Sequence, residues 1–160
     1  MTELWNWRIE RRSAQAEVHT ALAEAIGRPV LSLAGAAAGL TAAGAVLCDV
    51  WHAPGDFPTV VDCYAPPENV DEHAAVAALA RRLGVNCLLR DDTLDAGRHL
   101  LVGPDGTIRP VHFDVADTDD GEVLTNQRLC THADPGCRGW SRCQRSRWTP
   151  DSVLSARTAA

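Results

Sequence analysis

Apolar positions recur along this chain with two periods, and the switches between them mark out its elements. Ile9, Val18, Leu22 and Ile26 fall at helical spacing, and Gly27-Arg28-Pro29 interrupts the run. The pattern predicts a first helix from about Trp7 to Ile26. The stretch 30–44 is apolar but dominated by Ala and Gly, and it predicts a short, close-packed helix around Leu33 to Ala43. Strand-like runs follow at Ala45 to Trp51 and at Thr59 to Tyr64. They flank the turn-forming His52-Ala53-Pro54-Gly55-Asp56, as a hairpin would.

A second helix is expected across 69–83. Val76, Leu79, Ala80 and Leu83 form its apolar stripe, Arg81 and Arg82 lie outside it, and Gly84 is the stop. Asn69 with Glu72 three residues on has the form of a capping box. Val85 to Leu89 then reads as a buried strand, so strand, helix and strand are compatible with a right-handed crossover. A last hairpin joins His99–Val102 to Thr107–Val115 through Gly103-Pro104-Asp105-Gly106. Asp114, Asp117, Asp119, Asp120 and Glu122 make an acidic loop after it.

The fold class expected from this order is α+β. It is a mostly antiparallel sheet of about five strands with helices on one face, plus a Cys/His-rich C-terminal element. Residues 1–127 form the core domain, 128–148 an element packed on it, and 149–160 a loose tail. No internal repeat is visible.

Composition narrows the chemistry. All 15 basic residues are arginine, which removes Schiff-base lysines and the P-loop lysine. The net charge of −6 hides a split. Residues 1–127 carry 19 acids against 9 arginines, and residues 128–160 carry 2 acids against 6 arginines. A basic tail folded on its own acidic body accounts for this without a partner. The N-terminus has no apolar signal-peptide core, and Val30 to Cys48 supplies too little transfer energy for a membrane span, so no membrane association is expected. The expected location is cytoplasmic, where clustered cysteines are more often metal ligands than disulfides.

Four soft ligands crowd into the C-terminal region: Cys130, His132, Cys137 and Cys143, spaced C-x-H-x4-C-x5-C. Aliphatic side chains are nearly absent around them, so the segment has no core of its own to order it. Zinc takes four nitrogen or sulfur ligands as a tetrahedron, and Cys₃His is a common structural set. The C-x2-C knuckle is missing, and an iron–sulfur centre remains an alternative because cysteine ligation alone does not choose the metal.

Other candidates are weighed beside this site. Arg138, Arg142 and Arg145 fall at i, i+4 and i+7, and with Trp140 they suit phosphates and unstacked bases. A pI near 5.4 opposes a nucleic-acid role, and a protein partner is favoured. The first hairpin places Cys48 opposite Cys63 and Asp49 opposite Asp62, with His52 near the turn, which is the raw material of a thiolate nucleophile. His112 and Asp114 share one strand face, with His99 on the neighbouring strand, as a general-base pair or a second metal site would. The acidic loop fails the EF-hand template, since Ala116 and Thr118 fall at its first ligand positions. No Rossmann, P-loop, nucleophile-elbow or zincin motif is present.

Three functional readings follow. The first is a small metal-stapled binding or regulatory protein, with structural zinc. The second is a Cys/His-dependent enzyme built on the first hairpin or on the His112/Asp114 strand. The third is an acidic, toxin-neutralising protein of the immunity type, whose negative body attracts a cationic partner.

Overall fold

Leu4-Trp5-Asn6-Trp7-Arg8-Ile9 alternates apolar with polar residues after its first position, and it forms a strand, β1 (Leu4–Ile9). Trp5, Trp7 and Ile9 point to one face and are at most 2% exposed. The expected start of the first helix is thereby corrected: α1 (Gln15–Ile26) begins at Gln15. Trp7 and Ile9 obey the period of two that a strand imposes, and only Val18 and Leu22 carry the helical one. Gly27 closes α1 in the left-handed conformation (φ 68°), its N–H donating to the Ala23 carbonyl. These coordinates are a computed structural model, and they describe residues 4–39, 43–91, 93, 95–139, 143 and 146–155.

β1 lies at the middle of the sheet. It pairs antiparallel with β4 (Thr59–Tyr64) on one side and with β5 (Cys87–Arg90) on the other. Strands β4 and β5 therefore run parallel to each other with β1 between them. The connection between them, α3 (Glu72–Leu83), is the crossover. Asp71, not Asn69, caps this helix, accepting from the Ala74 N–H at 2.8 Å. Residues 67–70 are already used in a turn, with the Val70 N–H donating to the Pro67 carbonyl.

The sheet continues outward as β2 (Val30–Leu31), β3 (Val46–His52), β4, β1, β5, β6 (Arg98–Val102), β7 (Thr107–Thr118) and β8 (Gly121–Leu129). A two-residue strand, β9 (Leu154–Ser155), also pairs with β7. The α+β class holds, but the path has eight strands where about five were expected. The additions are β1, β2 and β8. β2 and β3 are parallel, and the other strand pairs are antiparallel. In the 30–44 stretch the described helix is short, α2 (Leu33–Ala37), capped by the Ser32 hydroxyl on the Gly35 N–H.

Helices α1 and α3 pack against each other and cover one sheet face. The main core lies there and includes Trp7, Val18, Leu22, Val76, Leu79 and Leu100. A smaller core, of Phe57, Leu88, Val111, Phe113 and Leu124, fills the opposite face. It exists because β7 and β8 extend as a paired arm that reaches the β3–β4 turn, where the Asp56 N–H donates to the Leu124 carbonyl at 2.9 Å. The segment expected as an acidic loop is this arm. Its carboxylates at 114, 117, 119 and 120 are exposed, while Leu124 turns inward. Gly55 permits the approach: its φ is +107°, and a Cβ there would stand 2.7 Å from the Leu124 carbonyl oxygen.

No helix among the described residues is long and apolar enough to cross a membrane.

Candidate metal centre

Residues widely separated in the chain meet where β7 faces the C-terminal segment. His112 lies on β7, directly opposite Arg98 of β6. Cys130 follows the last residue of β8 and stays tied to β7, its N–H donating to the Pro110 carbonyl at 3.1 Å. The chain then turns, with the Asp134 N–H on the Thr131 carbonyl, into the short helix α4 (Pro135–Gly139). The Asp134 carboxylate accepts from the Gly136 N–H at 2.8 Å, so it caps the turn that carries Cys137. Cys143 completes the group.

The ligand atoms of His112, Cys130, Cys137 and Cys143 all lie within 4.8 Å of one another. The His112 Nε2 stands 3.3 Å from the Cys137 sulfur and 3.5 Å from the Cys143 sulfur. Bond lengths of about 2.3 Å for Zn–S and about 2.0–2.1 Å for Zn–N, set at tetrahedral angles, require S···N separations of about 3.6 Å and S···S separations of about 3.8 Å. The donor set therefore fits a single ion. All four side chains are buried, none more than 7% exposed. Without an ion, burial raises the thiol pKa of Cys130, Cys137 and Cys143 and, with the Arg98 charge, lowers that of His112. These ligands are thus uncharged until a cation makes thiolates favourable. A cavity of about 360 Å³, lined by His112, Arg128, Asp134, Gly136 and Cys137, adjoins the group and gives an ion a way in.

A second ring of contacts fixes the ligands. Arg98, 1% exposed, donates from Nη2 to the Cys130 sulfur at 3.5 Å and to the Trp148 carbonyl, and from Nη1 to the Asp91 carboxylate. The Ser146 hydroxyl donates to Asp91 at 3.1 Å and accepts from the Trp148 N–H at 3.0 Å. Trp148 joins the main core and lies 5.7 Å, ring to ring, from His73 of α3. The C-terminal segment is thereby fastened to the helix-bearing face of the sheet.

Three of the four expected metal ligands come together here, but the imidazole is not the expected one. His132 is exposed and outside the cluster: its Nδ1 and backbone N–H both meet the Asp151 carboxylate, at 2.8 and 2.9 Å. The physical reason is strand pairing. β8 returns along β7 and sets Cys130 beside Pro110, so that His112 reaches the sulfurs from the sheet side while His132 continues outward. The alternation that puts His112 and Asp114 on one strand face is the available signal, and a second metal site is among its readings, but nothing local in the chain joins His112 to the C-terminal cysteines.

The other candidates are placed as follows. Cys48 and Cys63 stand opposite each other in the β3–β4 register, as do Asp49 and Asp62, and both cysteines are fully buried. His52 does not join them, since its Nε2 meets the Ser13 carbonyl at 2.8 Å. A different imidazole, that of His19 on α1, contacts Cys48, with Nε2 2.7 Å from the Cys48 carbonyl oxygen. Asp114 is exposed and bonded to Asn126 and Arg128, each at 3.0 Å, so it does not serve His112. His99 lies on the opposite sheet face, edge-on to Phe113. Of the proposed arginine stripe, Arg142, Arg145 and Trp140 lie outside the described residues, and Arg138 is exposed at α4.

Comparison of the chain with protein-family models, with curated proteins and with solved structures gives no match.

Proposed function

We propose that this chain is a metal-stapled binding or regulatory protein whose ion is a structural zinc. The convergence of four buried ligand atoms within 4.8 Å of one another carries the reading. Four protein ligands saturate a tetrahedral ion and leave no open position for substrate, which is the mark of a structural rather than a catalytic zinc. In an iron–sulfur cluster the four ligands are divided among two or four irons, so as a set they stand further apart than around one ion, and the short separations favour a single cation. The ion links β7 of the sheet to the segment from Cys130 to Trp148. Its binding energy replaces the core that segment lacks, on the order of 10 kcal/mol by analogy with zinc-finger peptides.

The enzyme reading loses its pieces. Cys48 and Cys63 have no exposed surface, His52 is turned to a backbone carbonyl, and His112 is committed to the cluster. A protein of this kind acts by presenting a surface, and a protein partner remains the favoured class.

The experiment is elemental analysis of protein purified without chelator or immobilised metal. One zinc per chain is expected, together with a cobalt-substituted form showing the visible bands of a tetrahedral thiolate site. Metal-free protein with all three C-terminal thiols freely titrating would end the proposal.

A further inference from the structure

Outside the metal centre the chain holds a second pair of sulfurs. Cys48 and Cys63 are directly opposed residues of the antiparallel β3–β4 ladder. Opposed residues in such a ladder have Cα atoms about 4.5–5.5 Å apart, inside the range of about 4.4–6.8 Å that a disulfide spans. Both side chains point into the main core beneath α1, and both are free thiols. Cys87, on β5, is equally buried but has no thiol opposite, since it faces Ile9 and Val102.

We propose that Cys48 and Cys63 are an oxidisable dithiol, converted by a small uncharged hydroperoxide into a cross-strand disulfide. The Cys48 sulfur attacks the peroxide oxygen; an S–O bond forms as the O–O bond breaks, and the alcohol leaves with a proton. The Cys63 sulfur then attacks the Cys48 sulfenic acid. The S–S bond forms as the S–O bond breaks, and the departing hydroxide takes the Cys63 proton to leave as water. Two thiols lose two electrons, and the hydroperoxide gains them. The reagent is small and uncharged because the sulfurs have no exposed surface and are reached only as the ladder opens locally.

The electrostatics assign the roles. The Cys63 thiol across the ladder, together with the His19 imidazole that reaches the Cys48 carbonyl at 2.7 Å, lowers the Cys48 thiol pKa, and Cys48 is the attacking sulfur. Cys63 is raised by the same contact and by burial, as suits a partner that keeps its proton until the second step. Burial, with the Glu10 charge nearby, pushes Cys87 up to about 12, which makes it an internal control for a buried cysteine without a thiol opposite.

The test uses zinc-loaded protein and hydrogen peroxide. After quenching, the chain is unfolded, alkylated and cut with trypsin. No arginine or lysine lies between Arg28 and Arg81, so Cys48 and Cys63 share one fragment, while Cys87 and the cluster cysteines fall in others. Trypsin does not cut the Arg28–Pro29 bond, so the expected result is a 13–81 fragment lighter by two hydrogen atoms and refractory to alkylation, formed at least about tenfold faster than Cys87 is lost. Reduction restores both thiols, and in Cys63→Ala a sulfenic acid on Cys48 is trapped by a carbon nucleophile instead. Fragment 13–81 remaining fully alkylatable, or losing its thiols no faster than Cys87, overturns the proposal. That comparison is made within the wild-type chain and stands even where the variant does not fold. It is also independent of whether the other cluster binds zinc.

Discussion

Arg98 and His112 are cross-strand partners on β6 and β7, and from these paired positions they approach the same group of sulfurs. His112 brings a ligand nitrogen. Arg98 brings a positive charge to the Cys130 sulfur. A Cys₃His set around a divalent cation carries one excess negative charge, and a buried guanidinium beside it offsets the cost of enclosing that charge.

Replacing Arg98 by Met should therefore act twice. It strands the Asp91 carboxylate, whose side chain is fully buried with Arg98, at a cost of about 3–5 kcal/mol. It also removes the donor to Cys130 and should weaken zinc binding about 10–100-fold. Urea unfolding and competition with a fluorescent chelator measure the two effects separately. Unchanged zinc affinity would mean that the contact with Cys130 does not tune the ion.

The choice between the two histidines is directly measurable. His112→Ala should lose most of its bound zinc at chelator concentrations that leave the wild type loaded. His132→Ala should keep full stoichiometry, because the His132 ring is exposed and engaged by Asp151, outside the cluster. The opposite ranking would return His132 to the ligand set.

His99 gives the fold an acid sensitivity separate from the metal. Burial, with the nearby charges of Arg90 and Arg8, lowers its pKa from 6.5 to about 4, and its Nδ1 has no partner among the described residues. The folded state thus binds fewer protons than the unfolded one. Its contribution is fully present above about pH 6.5 and is lost as the pH falls toward 4. Between about pH 7 and pH 5 the wild type should lose about 2 kcal/mol more than His99→Leu, both zinc-loaded. Denaturant midpoints at the two pH values check this, since any release of zinc is common to both proteins. Parallel losses would show that His99 is hydrated.

Gly55→Ala places a methyl group against the Leu124 carbonyl at a backbone angle that alanine resists. A destabilisation of about 1–3 kcal/mol is expected by chemical denaturation, with the β7–β8 arm losing hydrogen-exchange protection before the rest. An alanine variant as stable as the wild type would mean that the arm does not rest on the turn.

Where chemistry was local, the sequence was readable. The Pro-Gly turn and flanking alternation gave the β3–β4 hairpin with Cys48 opposite Cys63, and the stripe from Val76 to Leu83 gave α3. Three metal-cluster cysteines were found because they crowd together in the chain. The fourth ligand was missed because it lies on another strand, and only the pairing of β7 with β8 carries it there. The nearer His132 satisfied the spacing, but spacing does not say which way a ring points. β1 was hidden for a similar reason. Ile9 fits a helical repeat with Val18, and only the two tryptophans before it betray the period of two.

The position of β1 has a consequence for how the molecule is made. During synthesis this strand leaves the ribosome before either neighbour exists, for its partners lie at 59–64 and 87–90. Its pairing must wait until residues 59–64 and then 87–90 have emerged. The sulfurs at 130, 137 and 143 come later still. Under the proposed zinc assignment, capture of the ion would be a closing latch on an assembled sheet, and chains made without zinc would carry a finished body and an unfastened C-terminal segment.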